Sequence, residues 1–197
     1  MSKPKTLFIS PQLRIEKNIN TIHAKNTHRR AVPTLSILAL VTELDNAGYP
    51  VRYLDTVIEN IMNTFPYDSA SDCYGMDNSE MLSHVIDYQP DIVGISCLFT
   101  AQWDQVKAIA EIIKNYNKNI LIISGGNHAS LNLDPFKPDK NIDYIIQGEA
   151  EFAIIELVKN FEIGKPFDHL LGKHHRINRL DDLTPLNWDL LPLERYW

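Results

Sequence analysis

The sequence predicts one doubly wound α/β domain with a five-stranded parallel sheet in the order 2-1-3-4-5. Short apolar runs alternate with stretches whose apolar residues recur at helical spacing, a pattern typical of a parallel sheet covered by helices on both faces. Connections between parallel strands are almost always right-handed, which favours this strand order. With 197 residues, the chain is long enough for one buried core and short for two. The expected class is therefore flavodoxin-like, a Rossmann-like arrangement.

The N-terminal half supplies the first two predicted strands and the helix between them. Thr6–Ser10 is a nearly continuous apolar run, as in a central strand that is buried on both faces. Apolar residues at every third or fourth position predict a helix over Leu35–Ala47, and a glycine follows it. Val51–Asp55 is the second predicted strand. The polar segment Asp68–Ser79 is rich in turn residues and predicts no regular element.

Three more strands follow, each accompanied by a helix. The clearest strand is Asp91–Ser96, which is preceded by a helix over Ser79–Tyr88. The remaining predicted elements are the helix Gln102–Tyr116, the strand Asn119–Ser124, the strand Ile142–Ile146 and the helix Glu151–Phe161. After residue 163 the pattern decays into a tail that contains Pro and Leu and could not fold alone, so residues 164–197 are predicted to be a linker or a docking arm.

The composition argues against several classes of partner. The 19 basic and 25 acidic residues give a formal net charge of -6, which disfavours a broad nucleic-acid or anionic-membrane interface. No run approaches the roughly 18 apolar residues of a membrane span, and the N-terminus lacks a secretory signal, so we expect a cytoplasmic protein. Cys73 and Cys97 are too few for a multi-cysteine zinc or iron–sulfur site, so any metal is expected to arrive in a cofactor or through a partner.

The loops after the strands carry the candidate site, because ligands of doubly wound sheets bind outside the carboxyl ends of the strands. Gly125 and Gly126 let the backbone approach a ligand without a Cβ, although a strand-to-helix turn alone can require glycine. Gly148 brings a further glycine to the same rim. Two neighbouring strands that end in glycine would flatten one edge of the crevice, which suits a large planar ligand.

Polar side chains on this rim are candidates for hydrogen bonds to a ligand. Ser96, Thr100 and Gln102 follow the third strand; helix capping is the better explanation of Thr100, and Gln102 is the stronger candidate. Glu149 and Glu151 suit the first turn of a helix, which explains both without a ligand.

Two further residues have ordinary structural explanations. His128 is interpreted first as a turn histidine and second as a ligand or proton donor. Cys97 has no adjacent base and is interpreted as a buried thiol.

Several common ligands of this fold lack their motifs. A phosphorylated receiver domain needs acidic residues where this chain has Ser10-Pro11 and Ser96-Cys97. Neither G-x-G-x-x-G nor G-x-x-x-x-G-K-[ST] occurs, which disfavours dinucleotides and nucleoside triphosphates. The string Pro11-Gln12-Leu13-Arg14 lacks the hydroxyl groups and glycines of a flavin phosphate loop.

Five strings occur in order along the chain: Pro33-Thr34-Leu35-Ser36-Ile37-Leu38-Ala39, Asn46-Ala47-Gly48-Tyr49-Pro50-Val51, Asp91-Ile92-Val93-Gly94-Ile95-Ser96, Gly125-Gly126-Asn127-His128-Ala129 and Asp143-Tyr144-Ile145-Ile146-Gln147-Gly148-Glu149-Ala150-Glu151. Taken together and in register, they resemble the N-terminal cobalamin-binding domain of class B radical SAM enzymes. The tail from Leu183 to Pro192 also resembles the connector that precedes the radical SAM domain in that family. On this resemblance residues 1–163 are the cobalamin-binding domain.

The resemblance implies a corrinoid that lies across the strand ends, with its nucleotide tail inserted toward the sheet. The residues that would contact it are Ser10, Pro11, Ser96, Leu98, Thr100, Gln102, Gly125, Gly126, Asn127, His128, Gly148, Glu149 and Glu151.

This sequence departs from other cobalamin domains at the motif that supplies a ligand to cobalt. The D-x-H-x-x-G motif that supplies a lower histidine ligand in other cobalamin domains is absent after the first strand, so base-off cobalamin without a protein histidine is expected. His23 and His28 in the long loop Pro11–Val32 remain alternatives. The same loop, with Arg29-Arg30, could cap the upper face of the corrin.

No C-x-x-x-C-x-x-C segment occurs in the 197 residues, so a 4Fe-4S cluster and SAM would belong to a radical SAM domain in cis or in trans. The expected function is the methyl-carrying module of a radical SAM methyltransferase or related enzyme, not self-sufficient as a catalyst. Both a piece of such an enzyme and a stand-alone corrinoid carrier fit this expectation. The alternative is a cofactor-free or sensory protein-interaction module that uses the tail to bind a partner.

Overall fold

The computed structural model of the chain describes residues 3–17, 31–131, 139–166 and 174–196. The strands along these residues are β1 (Thr6–Ser10), β2 (Leu13–Glu16), β3 (Val51–Asp55), β4 (Thr64–Pro66), β5 (Ser71–Tyr74), β6 (Ile92–Ser96), β7 (Leu121–Gly125), β8 (Tyr144–Ile145), β9 (Gln147–Gly148) and β10 (His174–His175). Five of them form a parallel sheet in the order β3-β1-β6-β7-β8. Counted along this sheet, the order is 2-1-3-4-5, which confirms the predicted flavodoxin-like class.

Helices cover both faces of the parallel sheet. They are α1 (Leu35–Asn46), α2 (Thr56–Glu59), α3 (Asn78–Tyr88), α4 (Trp103–Tyr116), α5 (Asn127–Leu131) and α6 (Glu151–Glu162). Side chains alternate along β1, so Leu7 and Ile9 pack with α3 and α4, whereas Phe8 packs with α1 and α6. Each face is thus a separate buried core. In the described part of the chain, no helix combines the length and apolarity needed to cross a membrane.

Most elements differ from their predicted bounds by one or two residues, and two of these differences are informative. Helix α3 begins one residue early because Asp77 caps it: its Oδ1 accepts hydrogen bonds from the N–H groups of Ser79 and Glu80 at 2.8 and 2.9 Å. The last strand of the sheet is limited to Tyr144–Ile145, whereas the apolar run predicted Ile142–Ile146. Ile142 and Ile146, which flank this edge strand, are buried, and the Ile146 N–H still donates to Ser124 O of β7 at 3.0 Å.

A second, antiparallel sheet forms in the order β2-β5-β4, where no regular element was predicted. It is joined to α4 through a buried amide, since Gln105 Nε2 donates to Gln12 O at 3.1 Å and lies 3.0 Å from Cys73 Sγ. The strands are short and partly polar, and β2 pairs with a segment more than fifty residues away in the chain. A pairing between such distant segments leaves no local sequence pattern.

The described part of the tail, residues 174–196, packs on the domain that precedes it. The Thr184 N–H donates to Glu43 Oε1 at 2.6 Å, and the Tyr196 hydroxyl donates to Asp55 Oδ2 at 3.0 Å. Leu191 is buried with side chains of α1 and α2. These residues of the tail therefore contact the domain that precedes them, while the division of the chain near residue 164 and the role of the tail as a linker or docking arm stay predictions.

Truncation of a tail side chain tests whether this docking stabilises the domain. We expect Leu191→Ala to lower the free energy of unfolding by about 2 kcal/mol, because it removes a buried side chain and leaves a cavity. The matched control is Leu180→Ala, since Leu180 is 73% exposed and its loss should change stability by less than about 0.5 kcal/mol. Urea unfolding of both variants gives the comparison, and equal stabilities would contradict docking.

Candidate functional site

A cavity of about 240 Å³ lies between the parallel sheet and helices α1 and α6. Its mouth is formed by residues at the carboxyl ends of β6 and β7, as expected for this fold. The predicted residues that line it are Ser96 and Leu98 at the end of β6 and just beyond it, Gly125, Gly126 and Asn127 at the end of β7 and just beyond it, and Gly148, Glu149 and Glu151 at the start of α6 and just before it. These residues, distant in sequence, thus surround one space.

The register of the sheet shows how far the cavity extends. Ser96 pairs with Gly125 at the mouth, and both line the cavity. Two residues deeper, Phe8 pairs with Gly94 and Gly94 pairs with Ile123, and these three also line it. Because a strand rises about 3.3 Å per residue, the cavity reaches about 7 Å below the strand ends.

The two glycines at the end of β7, Gly125 and Gly126, have different structural explanations. Gly126 has φ +111°, and a Cβ added there would lie 2.7 Å from Cys97 O, so the turn itself requires glycine. Gly125 has no such constraint, since an added Cβ would contact only Ile146 O at an ordinary 3.6 Å. Fold geometry therefore explains Gly126 and leaves Gly125, which faces the cavity, without a structural requirement.

Substitution of Gly126 should lower the stability of the folded domain. We expect Gly126→Ala to lower the free energy of unfolding by about 2 kcal/mol, because it combines an unfavourable positive φ with a contact on the Cys97 backbone. The matched control is Gly164→Ala, where φ is also positive, at +65°, but an added Cβ meets nothing within 4 Å. Thermal unfolding measures both, and a Gly126→Ala variant as stable as Gly164→Ala would contradict the packing argument.

The loop beside α6 is held by contacts with neighbouring segments. Gly148 has φ +79°, and its N–H donates to Ser130 Oγ at 2.9 Å. The Glu149 carboxylate accepts a hydrogen bond from the N–H of Ile177 in the tail, and the Glu149 N–H donates to His175 O at 2.9 Å. The tail thus fixes the side of the mouth where Gly148 and Glu149 lie.

Negative charge gathers near the start of α6. Burial, reinforced by the carboxylates of Glu149 and Glu43, raises the pKa of the Glu151 carboxyl above its usual value, although its own backbone N–H offsets part of this. None of the described residues that line the cavity is Lys, Arg or His. The cavity therefore favours a neutral inserted group over an anionic one.

The other predicted site residues lie beside the cavity and outside its lining. Gln102 Oε1 accepts from the N–H groups of Leu98 and Phe99, both at 3.2 Å, so it shapes the loop after β6. Thr100 Oγ1 lies 3.1 Å from His128 Nδ1.

On the opposite side of the crevice, Ser10 Oγ lies 2.8 Å from the Tyr53 hydroxyl, and Pro11 is buried. His23, His28, Arg29 and Arg30 fall outside the described residues. Cys97 is buried as predicted, and burial raises the pKa of its thiol to about 11.

Sequence reasoning missed the inner wall of the cavity. Phe8 and Gly94 were assigned only to strands, and Ser36 and Leu40 of α1 only to a helix, yet all four line the space. The available signal was Gly94 itself, a glycine in the middle of a buried strand, which often marks a close approach of another group.

Comparison with known proteins gives matches in sequence. Residues 26–158, more than half of the chain, match the B12 binding domain family. An uncharacterized methyltransferase of Pyrococcus horikoshii is 27% identical over 183 residues, which cover 83% of this chain and 38% of that protein. The cytidylyl-2-hydroxyethylphosphonate methyltransferase of Streptomyces wedmorensis is 27% identical over 128 residues, with coverage of 64% and 24%. The chain thus spans well under half the length of these relatives.

Solved structures share the fold at low sequence identity. The cobalamin-dependent S-adenosylmethionine radical enzyme OxsB superposes with a TM-score of 0.65 at 16% identity, covering 98% of this chain and 25% of OxsB. The radical S-adenosylmethionine methyltransferase TsrM from Kitasatospora setae gives 0.57 at 16% identity, with coverage of 83% and 26%. The methanol:cobalamin methyltransferase complex MtaBC from Methanosarcina barkeri gives 0.52 at 15%, with coverage of 90% and 54%. With the family match and the cavity at the strand ends, these likenesses lead to one conclusion: the chain belongs to the B12-binding domain family.

Proposed function

We propose that this domain is the methyl-carrying cobalamin module of a radical SAM methyltransferase or a related enzyme. The observation that carries the proposal is the cavity that opens at Gly125 and reaches the Phe8–Gly94–Ile123 row between sheet and helices. Bound cobalamin would supply methyl-transfer chemistry.

The residues present fit the nucleotide tail of cobalamin. Aliphatic side chains of Ile37, Leu40 and Ile154 line the helical side, which suits a flat aromatic base. Gly125 leaves room at the mouth because it carries no side chain. Ser96, Asn127 and Glu149 line the cavity as hydrogen-bonding groups, available to the sugar and the corrin amides.

The rim residues outside the cavity would then lie beneath the corrin. Thr100 with His128 and the loop shaped by Gln102 flank one side of the mouth, while Ser10 and Pro11 lie at the end of β1. Insertion of the tail would hold its base away from cobalt, which is the base-off form. This assignment rests on the shape of the cavity and on the absence of D-x-H-x-x-G after β1.

Radical chemistry would need a second domain. The two relatives that are named as methyltransferases are much longer than this chain, which covers 38% and 24% of their lengths. We therefore assign the 4Fe-4S cluster and SAM to a radical SAM domain that works with this one in cis or in trans. The cofactor-free interaction module has less support, because Leu191 and Tyr196 of the tail are buried on this domain.

Reconstitution tests the proposal directly. The purified chain is incubated with hydroxocobalamin, desalted, and examined by visible absorbance for stoichiometric corrin. A control with acid-unfolded protein reports non-specific retention. Absence of corrin absorbance after desalting would overturn the proposed function.

A further inference from the structure

The inner end of the cavity is closed by an aromatic ring that lies over a glycine. A Cβ added to Gly94 would lie 2.5 Å from Phe8 Cδ1 and 2.6 Å from Cε1, so the Phe8 ring occupies the space that a side chain at position 94 would need. Phe8 is 2% exposed and lines the cavity. Ile92, the next residue toward the amino end of β6 on this face, does not line it. The ring therefore ends the cavity at this row of the sheet.

We infer that Phe8 is a specificity-determining residue that limits the length of the aromatic base the cavity accepts, and that the pair Phe8–Gly94 selects a two-ring base of the benzimidazole class. This inference rests on the proposed cobalamin function. The Phe8–Gly94 row lies about 7 Å below the strand ends. A two-ring heterocycle inserted lengthwise would reach this row, and a third fused ring would meet the Phe8 ring.

The walls around the ring support the same class of base. Ile37, Leu40 and Ile154 contribute aliphatic surface, and Ser124 Oγ is already engaged with Ile95 O at 3.0 Å. A base that carries acceptor groups at its inner end would bury them without a donor, because the Ser124 O–H already donates to Ile95 O, and this is unfavourable. A base with an apolar inner edge meets no such cost.

Binding of corrinoids that differ only in the base tests the inference. The probes are cobalamin, an analogue whose base is naphthimidazole, one fused ring longer, and cobinamide, which lacks the nucleotide tail. Affinity is measured from changes in visible absorbance on titration. We expect the natural chain to bind cobalamin at least about tenfold more tightly than either of the other two.

Variants of the pair should change two different preferences. Phe8→Leu should reduce the preference for cobalamin over the naphthimidazole analogue by about tenfold, because it lengthens the cavity. Gly94→Ala should displace the ring into the cavity and weaken cobalamin binding without weakening cobinamide binding. The matched control is Phe161→Leu, since Phe161 packs on the same core and does not line the cavity.

The outcomes separate this inference from the proposed function. An unchanged preference in Phe8→Leu overturns the inference, as does cobalamin binding no tighter than cobinamide in the natural chain; in both cases corrinoid binding itself stands. No binding of any corrinoid overturns the proposed function and the inference together. If Phe8→Leu does not fold, Phe8→Met gives the same test, because its flexible, unbranched side chain can move out of the path of the longer base.

Discussion

Gly125→Leu is expected to weaken cobalamin binding by about 100-fold while the domain remains folded. The position has no positive φ, and its Cβ would meet only Ile146 O at 3.6 Å, so the backbone tolerates a side chain. A leucine there would occupy the mouth of the cavity. Visible-absorbance titration measures affinity, and circular dichroism with urea unfolding confirms the fold.

A smaller residue at the same position provides the matched control. Gly125→Ala adds only the tolerated Cβ and should weaken binding by less than about tenfold. A Gly125→Leu variant that is folded and binds cobalamin as the natural chain does would show that the tail does not pass this glycine.

Asp55→Ala is expected to lower the free energy of unfolding by about 3 kcal/mol. The Asp55 carboxylate is 5% exposed and accepts hydrogen bonds from the Val57 N–H at 3.0 Å and the hydroxyls of Tyr53 and Tyr196 at 3.2 and 3.0 Å. Alanine would leave these buried donors without their acceptor. Urea unfolding measures the loss, and a change below about 1 kcal/mol would contradict the importance of this network.

The same carboxyl predicts a pH dependence. Burial raises the pKa of Asp55, although the hydrogen bonds it accepts offset part of the shift. The folded state therefore binds this proton more tightly than the unfolded state, so the contribution of Asp55 to stability falls as the pH rises from about 4 through the raised pKa. Asp55→Asn removes that contribution. As the pH rises over this range, the free energy of unfolding of the natural chain should fall relative to that of Asp55→Asn. A difference that does not change with pH would contradict the raised pKa.

The parallel sheet could be predicted because its signal is local. Strands such as Ile92–Ser96 are buried on both faces and therefore read as continuous apolar runs. The antiparallel sheet was not predicted, because Leu13 pairs with the distant Tyr74 and the apolar–polar alternation of Leu13–Glu16 is only four residues long. Its formation depends on contacts between segments that are remote in the chain.

The candidate site was predictable at its mouth and hidden at its inner end. Glycines at strand ends indicate a ligand edge, but the different constraints on Gly125 and Gly126 arise from the backbone of Cys97, which only the folded turn brings close. Likewise, Phe8 and Gly94 become neighbours through the register between β1 and β6. No pattern within either strand indicates that one residue closes a cavity over the other.

Helix α1 contacts the cavity and the tail at once, which links two equilibria. Ile37 and Leu40 line the cavity, whereas Thr42 Oγ1 and the Glu43 carboxylate accept hydrogen bonds from the backbone of the tail. Whatever free energy tail docking contributes to ligand affinity through this helix, ligand binding must contribute equally to tail docking. Tail docking and ligand binding therefore form one thermodynamic cycle. The factor by which Leu191→Ala weakens cobalamin binding should equal the factor by which removal of cobalamin weakens tail docking.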